Sequence, residues 1–223
     1  TFIKILLILN INLTKLPSQR FAIIKNWIDP LPYIEIPIHK KQSTQINVLM
    51  LGWVEKNKGI YDLLSIVKEH REQLLNYKFI ICGKGSELKA INNLVVKNDL
   101  NSFFKFNGWV KGEDKINELK KADIFVLPSY REGLPNSLLE AMASGRAIIA
   151  SSVGAIPDVI IDDVNGMLIT PGNKKKLLES IIKLGASQPL REKIGNNARS
   201  TIIKQHDISN VWIDVMKLIV KNQ

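Results

Sequence analysis

Short apolar runs separated by longer amphipathic segments recur along the whole chain. The runs are INVLMLG at 46–52, YKFIIC at 77–82, FFKFN at 103–107, IFVL at 124–127, AIIA at 147–150 and GMLI at 166–169. Brief runs of this kind, apolar with little strict alternation, predict strands buried on both faces, as in a parallel sheet. Helical spacing of apolar residues predicts helices over 60–75, 87–97, 113–121, 174–184 and 191–205. Another is predicted from Asn136, through SLLEAMAS, up to Gly145. In 174–184, Leu177, Leu178, Ile181, Ile182 and Leu184 gather on one helical face. A last stripe, Ile208, Val211, Trp212, Val215, Leu218 and Ile219, predicts an amphipathic C-terminal helix. Strand alternating with helix implies an α/β fold with a doubly wound parallel sheet, which binds ligands at the carboxyl ends of its strands.

Breaker residues divide the chain. Pro30, Pro32 and Pro37, followed by polar residues, mark 30–45 as a linker. The domain proper is read as 46–205 and the C-terminal helix as 206–223. Ahead of the linker, FIKILLILNINL at 2–13 is apolar but interrupted by Lys4, Asn10 and Asn12. It is shorter than the roughly 20 apolar residues that span a bilayer, and no small-residue cleavage site follows it. It is read as a buried element of a preceding half, so that 1–45 is a remnant of that half plus the linker.

The stretch 124–157 concentrates the chemistry. Strand IFVL leads into a loop broken by Pro128, Gly133 and Pro135, and the helix from Asn136 follows. A helix N-terminus offers unpaired N–H groups and a positive dipole end, which suit a phosphate. Pro135 has no N–H, so the useful donors are those of Leu134, Asn136 and Ser137. Two acids flank this end, Glu132 in the loop and Glu140 in the helix. Carboxylates accept paired hydrogen bonds from vicinal hydroxyls, and a ligand carrying both phosphates and sugars accounts for acids beside an anion site.

Composition narrows the remaining classes. At 223 residues and 45% hydrophobic content the chain is long enough to bury a substantial core. A net charge of +10 favours anionic partners, whether nucleotide phosphates or peripheral contact with an acidic membrane surface. Most of the lysines read as solvated surface. No nucleic-acid-binding signature is present, and the aromatics are not interleaved with the basic runs, so nucleic acid is not an expected partner. The single cysteine, Cys82, lies in an apolar strand, which excludes a disulfide framework and fits a reducing compartment. His39, His70 and His206 lack metal-ligand spacing, and no metal site is expected.

REGLPNSLLEAMASG resembles the E-x7-E segment of the retaining, GT-B-fold glycosyltransferases of family four, with Glu132 and Glu140 on its two acids. AIIASSVGAIPDVI and VNGMLITPGN resemble the continuation of the same segment. IIKNWID at 23–29 resembles the crossover between the two halves of that fold, which often reads pNGID. GKGSE at 83–87 resembles its glycine loop, and Phe106, Gly108 and Val110 match its F-x-G-x-V. The resemblance covers most of the chain and implies the Rossmann-like C-terminal, donor-binding half of a GT-B enzyme. Most of the N-terminal half, with the acceptor site, would then be missing.

By that resemblance Lys58 and Glu132 carry catalysis. Lys58 and the helix N-terminus at Leu134, Asn136 and Ser137 stabilise the departing diphosphate, beside Gly52 and Gly133. Glu132 holds the transferred sugar and Glu140 the ribose hydroxyls, while Gly83, Gly85 and Val110 shape the nucleobase pocket. The implied activity is transfer of a hexose, with retention, from a UDP- or GDP-sugar to a glycan or lipid-linked acceptor, in the cytoplasm or at the inner face of the cell membrane. No cofactor and no metal is required. The chain departs from the family's pattern in two places: Trp53 stands where an arginine is expected, and Lys84 replaces an acid. Trp53 is read as packing rather than ligand contact, and an alternative function is a non-catalytic nucleotide-sugar-binding remnant.

Overall fold

A computed structural model describes residues 26–38 and 44–220. The reading of 2–13 as a buried element lies outside the described residues. Six parallel strands form one sheet: β1 (Ile46–Leu51), β2 (Tyr77–Cys82), β3 (Phe104–Gly108), β4 (Ile124–Leu127), β5 (Ala147–Ser151) and β6 (Met167–Ile169). Their order is β3-β2-β1-β4-β5-β6. After β3 the chain returns to the middle of the sheet, so the winding reverses between β1 and β4. Val48 pairs with Ile124 and Leu49 with Phe125 across that reversal. In such sheets the crevice at the carboxyl ends of the two central strands is the natural binding place.

The helices are α1 (Leu31–Ile34), α2 (Ile60–Glu69), α3 (Leu88–Lys97), α4 (Gly112–Lys121), α5 (Asn136–Ala143), α6 (Lys174–Ala186), α7 (Gln188–Gln205) and α8 (Ile208–Val220). Period-two alternation in the strands divides the core in two. Val48 and Met50 of β1 face one cluster, with Leu63 and Ile66 of α2, Ile91 of α3 and Ile181 of α6. Leu49 and Leu51 face the other, with Leu119 of α4, Leu138 and Met142 of α5 and Ile202 of α7. Both faces are covered, which is why β4 reads as an unbroken apolar run and β1 and β5 carry one polar residue each, Asn47 and Ser151.

Some boundaries differ from the sequence reading for local reasons. The helix expected over 60–75 ends at Glu69, and a 3-10 turn at Arg71–Leu74 follows. The Arg71 guanidinium donates to the Asn98 carbonyl, and the tighter turn brings Leu74 fully into the core. Helix α7 starts at Gln188 rather than 191. Ser187 caps it, its Oγ accepting the Leu190 N–H at 3.3 Å, and a proline occupies its first turn.

The stretch read as linker is folded in its first part. Leu31–Ile34 is helical, and Tyr33 and Ile36 are buried. Two guanidiniums clamp this segment. Arg146 donates to the carbonyls of Pro37 (2.7 Å), Ala122 (3.0 Å) and Ser144 (2.9 Å), and Arg199 to those of Ile36 (2.5 Å) and Ala143 (2.9 Å). Upstream, Ile28 exchanges backbone hydrogen bonds with His206 and Ile208, both at 3.0 Å. On α8, Val211 is buried, whereas Trp212, Ile213 and Met216 are exposed.

Cys82 ends β2 at 2% exposure. Burial pushes its thiol up to about 12, and the Glu118 charge adds to the shift. A raised folded-state value keeps the thiol protonated and inert, so labelling by an aromatic disulfide at pH 8 should track global unfolding. The sign is that of an acid whose ionised form is better tolerated in the unfolded chain. Its contribution to stability is complete below about 9 and is lost as pH rises towards about 12. Denaturant midpoints measured across that window, with Cys82→Ser as control, check this.

Candidate functional site

The loops that leave β1 and β4 meet at the reversal of the winding. Residues Lys56–Lys58 form a 3-10 turn, and Gly59, at φ 73°, starts α2. The Tyr130 N–H donates to the Asn57 carbonyl at 2.8 Å and ties the two loops together. Lys58 Nζ then lies 2.8 Å from Glu132 Oε1, with side-chain exposures of 19% and 8%. Two residues 74 positions apart in the chain thus form an ion pair at the edge of the crevice. An ammonium has three donors, so Lys58 can hold Glu132 and still reach an incoming anion.

The Glu132–Gly133 backbone is supported from the loop after β5. The Ala155 N–H donates to the Gly133 carbonyl at 2.9 Å. Gly154 has φ +58°, and a Cβ there would fall 2.2 Å from the Glu132 oxygen and 2.5 Å from the Gly133 oxygen. Gly154→Ala is therefore expected to cost about 2 kcal/mol from strain and overlap. Because this loop lies at the surface it can yield, and the displaced backbone carries Glu132 with it. Thermal melting of Gly154→Ala beside the wild type should show that loss.

Helix α5 begins at Asn136, with Pro135 as its N-cap and no capping side chain. The N–H groups of Leu138 and Leu139 turn back to the Pro135 carbonyl at 3.1 and 3.4 Å. Those of Leu134, Asn136 and Ser137 have no partner among the described residues. Asn26 buttresses this end, its Nδ2 donating to the Leu134 carbonyl and to Asn136 Oδ1, both at 2.9 Å. The N-terminus is thus held in place while its outward N–H groups stay open, an arrangement suited to an anion.

One turn further on, Glu140 Oε1 lies 2.6 Å from Lys115 Nζ of α4, and Lys115 lies 5.9 Å from the centre of the Tyr33 ring. Burial opposes the charge on Lys115, but the hydrogen bonds and charges of Glu140 and Tyr33 together outweigh it and raise the ammonium above its usual value. Burial, with help from the Glu140 charge, raises the Tyr33 hydroxyl as well. Lys115 engages Oε1 of Glu140, and the Tyr33 hydroxyl also hydrogen-bonds to this carboxylate.

Gly52, expected beside the diphosphate, and Gly83 and Gly85, expected around the nucleobase, serve first as close contacts between loops. Gly52, at φ +144°, donates its N–H to the Cys82 carbonyl at 3.0 Å. A Cβ on Gly83 would fall 1.8 Å from the Gly52 oxygen, and one on Gly85 2.3 Å from the Val54 oxygen. Val110 packs on the second core cluster. Trp53, read from the sequence as packing, is 46% exposed and lies 5.3 Å, centroid to centroid, from Trp109, which is 50% exposed. Lys84 Nζ stands over both rings.

The predicted residues therefore fall into three groups at one edge: Lys58 with Glu132, the α5 N-terminus with Glu140, and the glycine loops. Asn26, Tyr33, Lys115 and Gly154 were not singled out from the sequence. Asn26 had a signal, its place in IIKNWID; the others depend on tertiary contacts. Among the described residues no group of three or more His, Cys, Asp or Glu side chains is placed to hold a metal ion, and no helix is long and apolar enough to cross a membrane.

A family model described as "Glycosyl transferases group 1" matches residues 34–201. An uncharacterized glycosyltransferase of Methanocaldococcus jannaschii is 32% identical over 170 residues, which is 74% of this chain and 42% of that protein. The crystal structure of the C-terminal domain of a glycosyl transferase group 1 family protein from Francisella tularensis superposes with a TM-score of 0.70. It is 24% identical, and 81% of this chain and 99% of that one are covered. A structure of HepE from Anabaena in complex with UDP and glucose gives a TM-score of 0.77 at 18% identity, covering 89% of this chain and 56% of that one. The chain spans about half the length of the curated relatives it matches, from 41% to 52% for three from M. jannaschii. With its 3-2-1-4-5-6 sheet and the matched model spanning most of its length, the chain belongs to the group 1 glycosyl transferases and has the fold of a GT-B C-terminal domain.

Proposed function

We propose that this chain is the donor-binding half of a retaining glycosyltransferase that moves a hexose from a UDP- or GDP-sugar to a glycan or lipid-linked acceptor. One observation carries the reading: the Lys58–Glu132 pair closes the β1/β4 crevice, on the loop that leads into the uncapped N-terminus of α5. Cleaving the bond between the sugar and its diphosphate places negative charge on the leaving group. Lys58 and the free N–H groups of Leu134, Asn136 and Ser137 are fixed donors for that charge, and such preorganised donors stabilise a transition state without reorganising. Glu140, steadied by Lys115 and Tyr33, accepts the ribose hydroxyls. Glu132 holds the transferred sugar; its charge is offset by Lys58, so it orients the sugar and is a poor nucleophile. Attack then falls to the acceptor, on the face that the diphosphate leaves, and the configuration is retained. The acceptor is held by an N-terminal half. This design needs no metal or cofactor, because protein cations and a helix terminus carry the charge, and it works on the cytoplasmic side of the membrane.

The test is transfer from UDP- and GDP-hexoses, assayed with an N-terminal half supplied and with the anomeric configuration of the product read by NMR. A product retaining the donor's configuration supports the reading, and an inverted product overturns the retaining mechanism. Nucleotide binding without transfer would favour a non-catalytic binding remnant, the alternative that Trp53 in place of an arginine suggests.

A further inference from the structure

Trp53, Lys84 and Trp109 follow three adjacent strands, β1, β2 and β3, and their side chains meet at the carboxyl edge of the sheet. We infer, resting on the nucleotide-sugar reading above, that these three residues form one subsite for the nucleoside diphosphate of the donor. The indole faces take the base, and the Lys84 ammonium takes phosphate charge.

The two indoles are tilted by 46° with centroids 5.3 Å apart, too close to admit a ring between them. Each still exposes about half its surface, 46% for Trp53 and 50% for Trp109, so the open faces point outward. Lys84 Nζ lies 5.5 Å from one ring centre and 5.4 Å from the other. Lys58 and Lys115 are each committed to a carboxylate. Lys84 is exposed and, among the described residues, has no carboxylate partner.

The roots of the cluster are fixed while its tips are free. The Val54 N–H donates to the Lys84 carbonyl at 3.0 Å, and the Gly52 N–H to the Cys82 carbonyl at 3.0 Å, so the two loops are laced together beneath the side chains. The chemistry of the ligand follows from the mixture. A purely apolar partner would strip water from an uncompensated ammonium, and a bare anion would leave two indole faces wet. A flat aromatic ring joined to an anionic group satisfies both. An exposed ammonium over an indole is weakly held, so Lys84 can leave the rings for a phosphate oxygen. It then supplies, from β2, a cation that Trp53 does not supply from β1.

The experiment is calorimetric titration of the chain with UDP, GDP and ADP, and with inorganic pyrophosphate and the free nucleosides, the weaker ligands being read by competition. Lys84→Met is expected to weaken the bound nucleoside diphosphate and pyrophosphate about tenfold and leave the nucleoside unchanged. Trp53→Ala and Trp109→Ala are expected to weaken the nucleoside and its diphosphate about tenfold and leave pyrophosphate unchanged. Trp53→Arg placed in the Lys84→Met chain should restore pyrophosphate binding. Melting curves control for folding, and Trp53→Phe, which keeps a ring, should retain most of the base affinity. If the wild-type chain binds a nucleoside diphosphate and all three single variants stay within twofold, the subsite is wrong and the donor reading stands. Lys84→Met weakening nucleoside and pyrophosphate alike would also overturn it. If the wild-type chain binds none of the three, the donor reading falls and the subsite falls with it.

Discussion

Lys58→Met is expected to lower sugar transfer by about 10²–10³-fold, with little change in fold. The lysine is one-fifth exposed and its ammonium pairs with Glu132, so Lys58→Met takes away a charge and keeps most of the side chain's bulk. The partner left behind is the cost. Glu132 is 8% exposed, and without its ammonium it keeps a partly desolvated charge, worth about 1–2 kcal/mol. A modest loss in melting temperature alongside a large loss in kcat/KM is therefore the expected signature, measured with an N-terminal half supplied. Glu132→Gln in the same background should recover stability without recovering transfer, because the buried charge is gone and the missing cation is not replaced. A Lys58→Met enzyme within threefold of wild type would remove this residue from the site.

Gly83→Ala is expected to cost about 3 kcal/mol or more in stability, the largest effect of any single methyl group considered at this edge. The added Cβ would fall 1.8 Å from the Gly52 carbonyl oxygen and 3.0 Å from its carbon, and backbone cannot rotate aside as a side chain can. Gly52 cannot retreat freely, since its own N–H is bonded to the Cys82 carbonyl. The loops after β1 and β2 would have to separate, which also breaks the hydrogen bond from Val54 to Lys84. Chemical denaturation of Gly83→Ala beside Gly133→Ala checks this, because a Cβ on Gly133 meets nothing within 4 Å and should cost little.

The fold was legible because the sheet is covered on both sides. Strands buried on two faces leave dense apolar runs, and helices packed on one face leave a stripe, so the runs at β1, β2, β4 and β5 could be placed nearly to the residue. The order of the strands, 3-2-1-4-5-6, is not encoded in periodicity and was not read from the sequence. Where the reading differed, a tertiary contact had overruled local pattern. The helix expected over 60–75 breaks because the 3-10 turn buries Leu74. The prolines in 30–45 suggested a linker, yet Tyr33 and Ile36 are buried, and Arg146 and Arg199 hold the carbonyls of Ile36 and Pro37.

The site was half legible. Residues close in sequence, Glu132 and the α5 N-terminus, announced themselves through loop and helix chemistry. The pairings that set their charge did not, although Lys58 itself was named through the resemblance. Lys58 finds Glu132 across 74 positions, Lys115 finds Glu140 from another helix, and Asn26 reaches the start of α5 from more than a hundred residues away. No spacing rule connects such pairs. Trp53 shows what local pattern leaves out, since it packs on Trp109 yet stays 46% exposed. A tryptophan beside a strand reads as packing, and only the surface left open around it and Trp109 points outward.

The measurement that bears most directly on the central claim is calorimetric titration of the purified chain with UDP, GDP and ADP, repeated on Glu140→Ala and Lys58→Met. Saturable binding of one diphosphate, weakened tenfold or more in both variants, is the expected result. It would place the nucleotide at the crevice between β1 and β4, with its ribose at Glu140 and its phosphates at Lys58. Absence of binding to all three, or binding that both variants leave unchanged, would contradict a donor site at this edge.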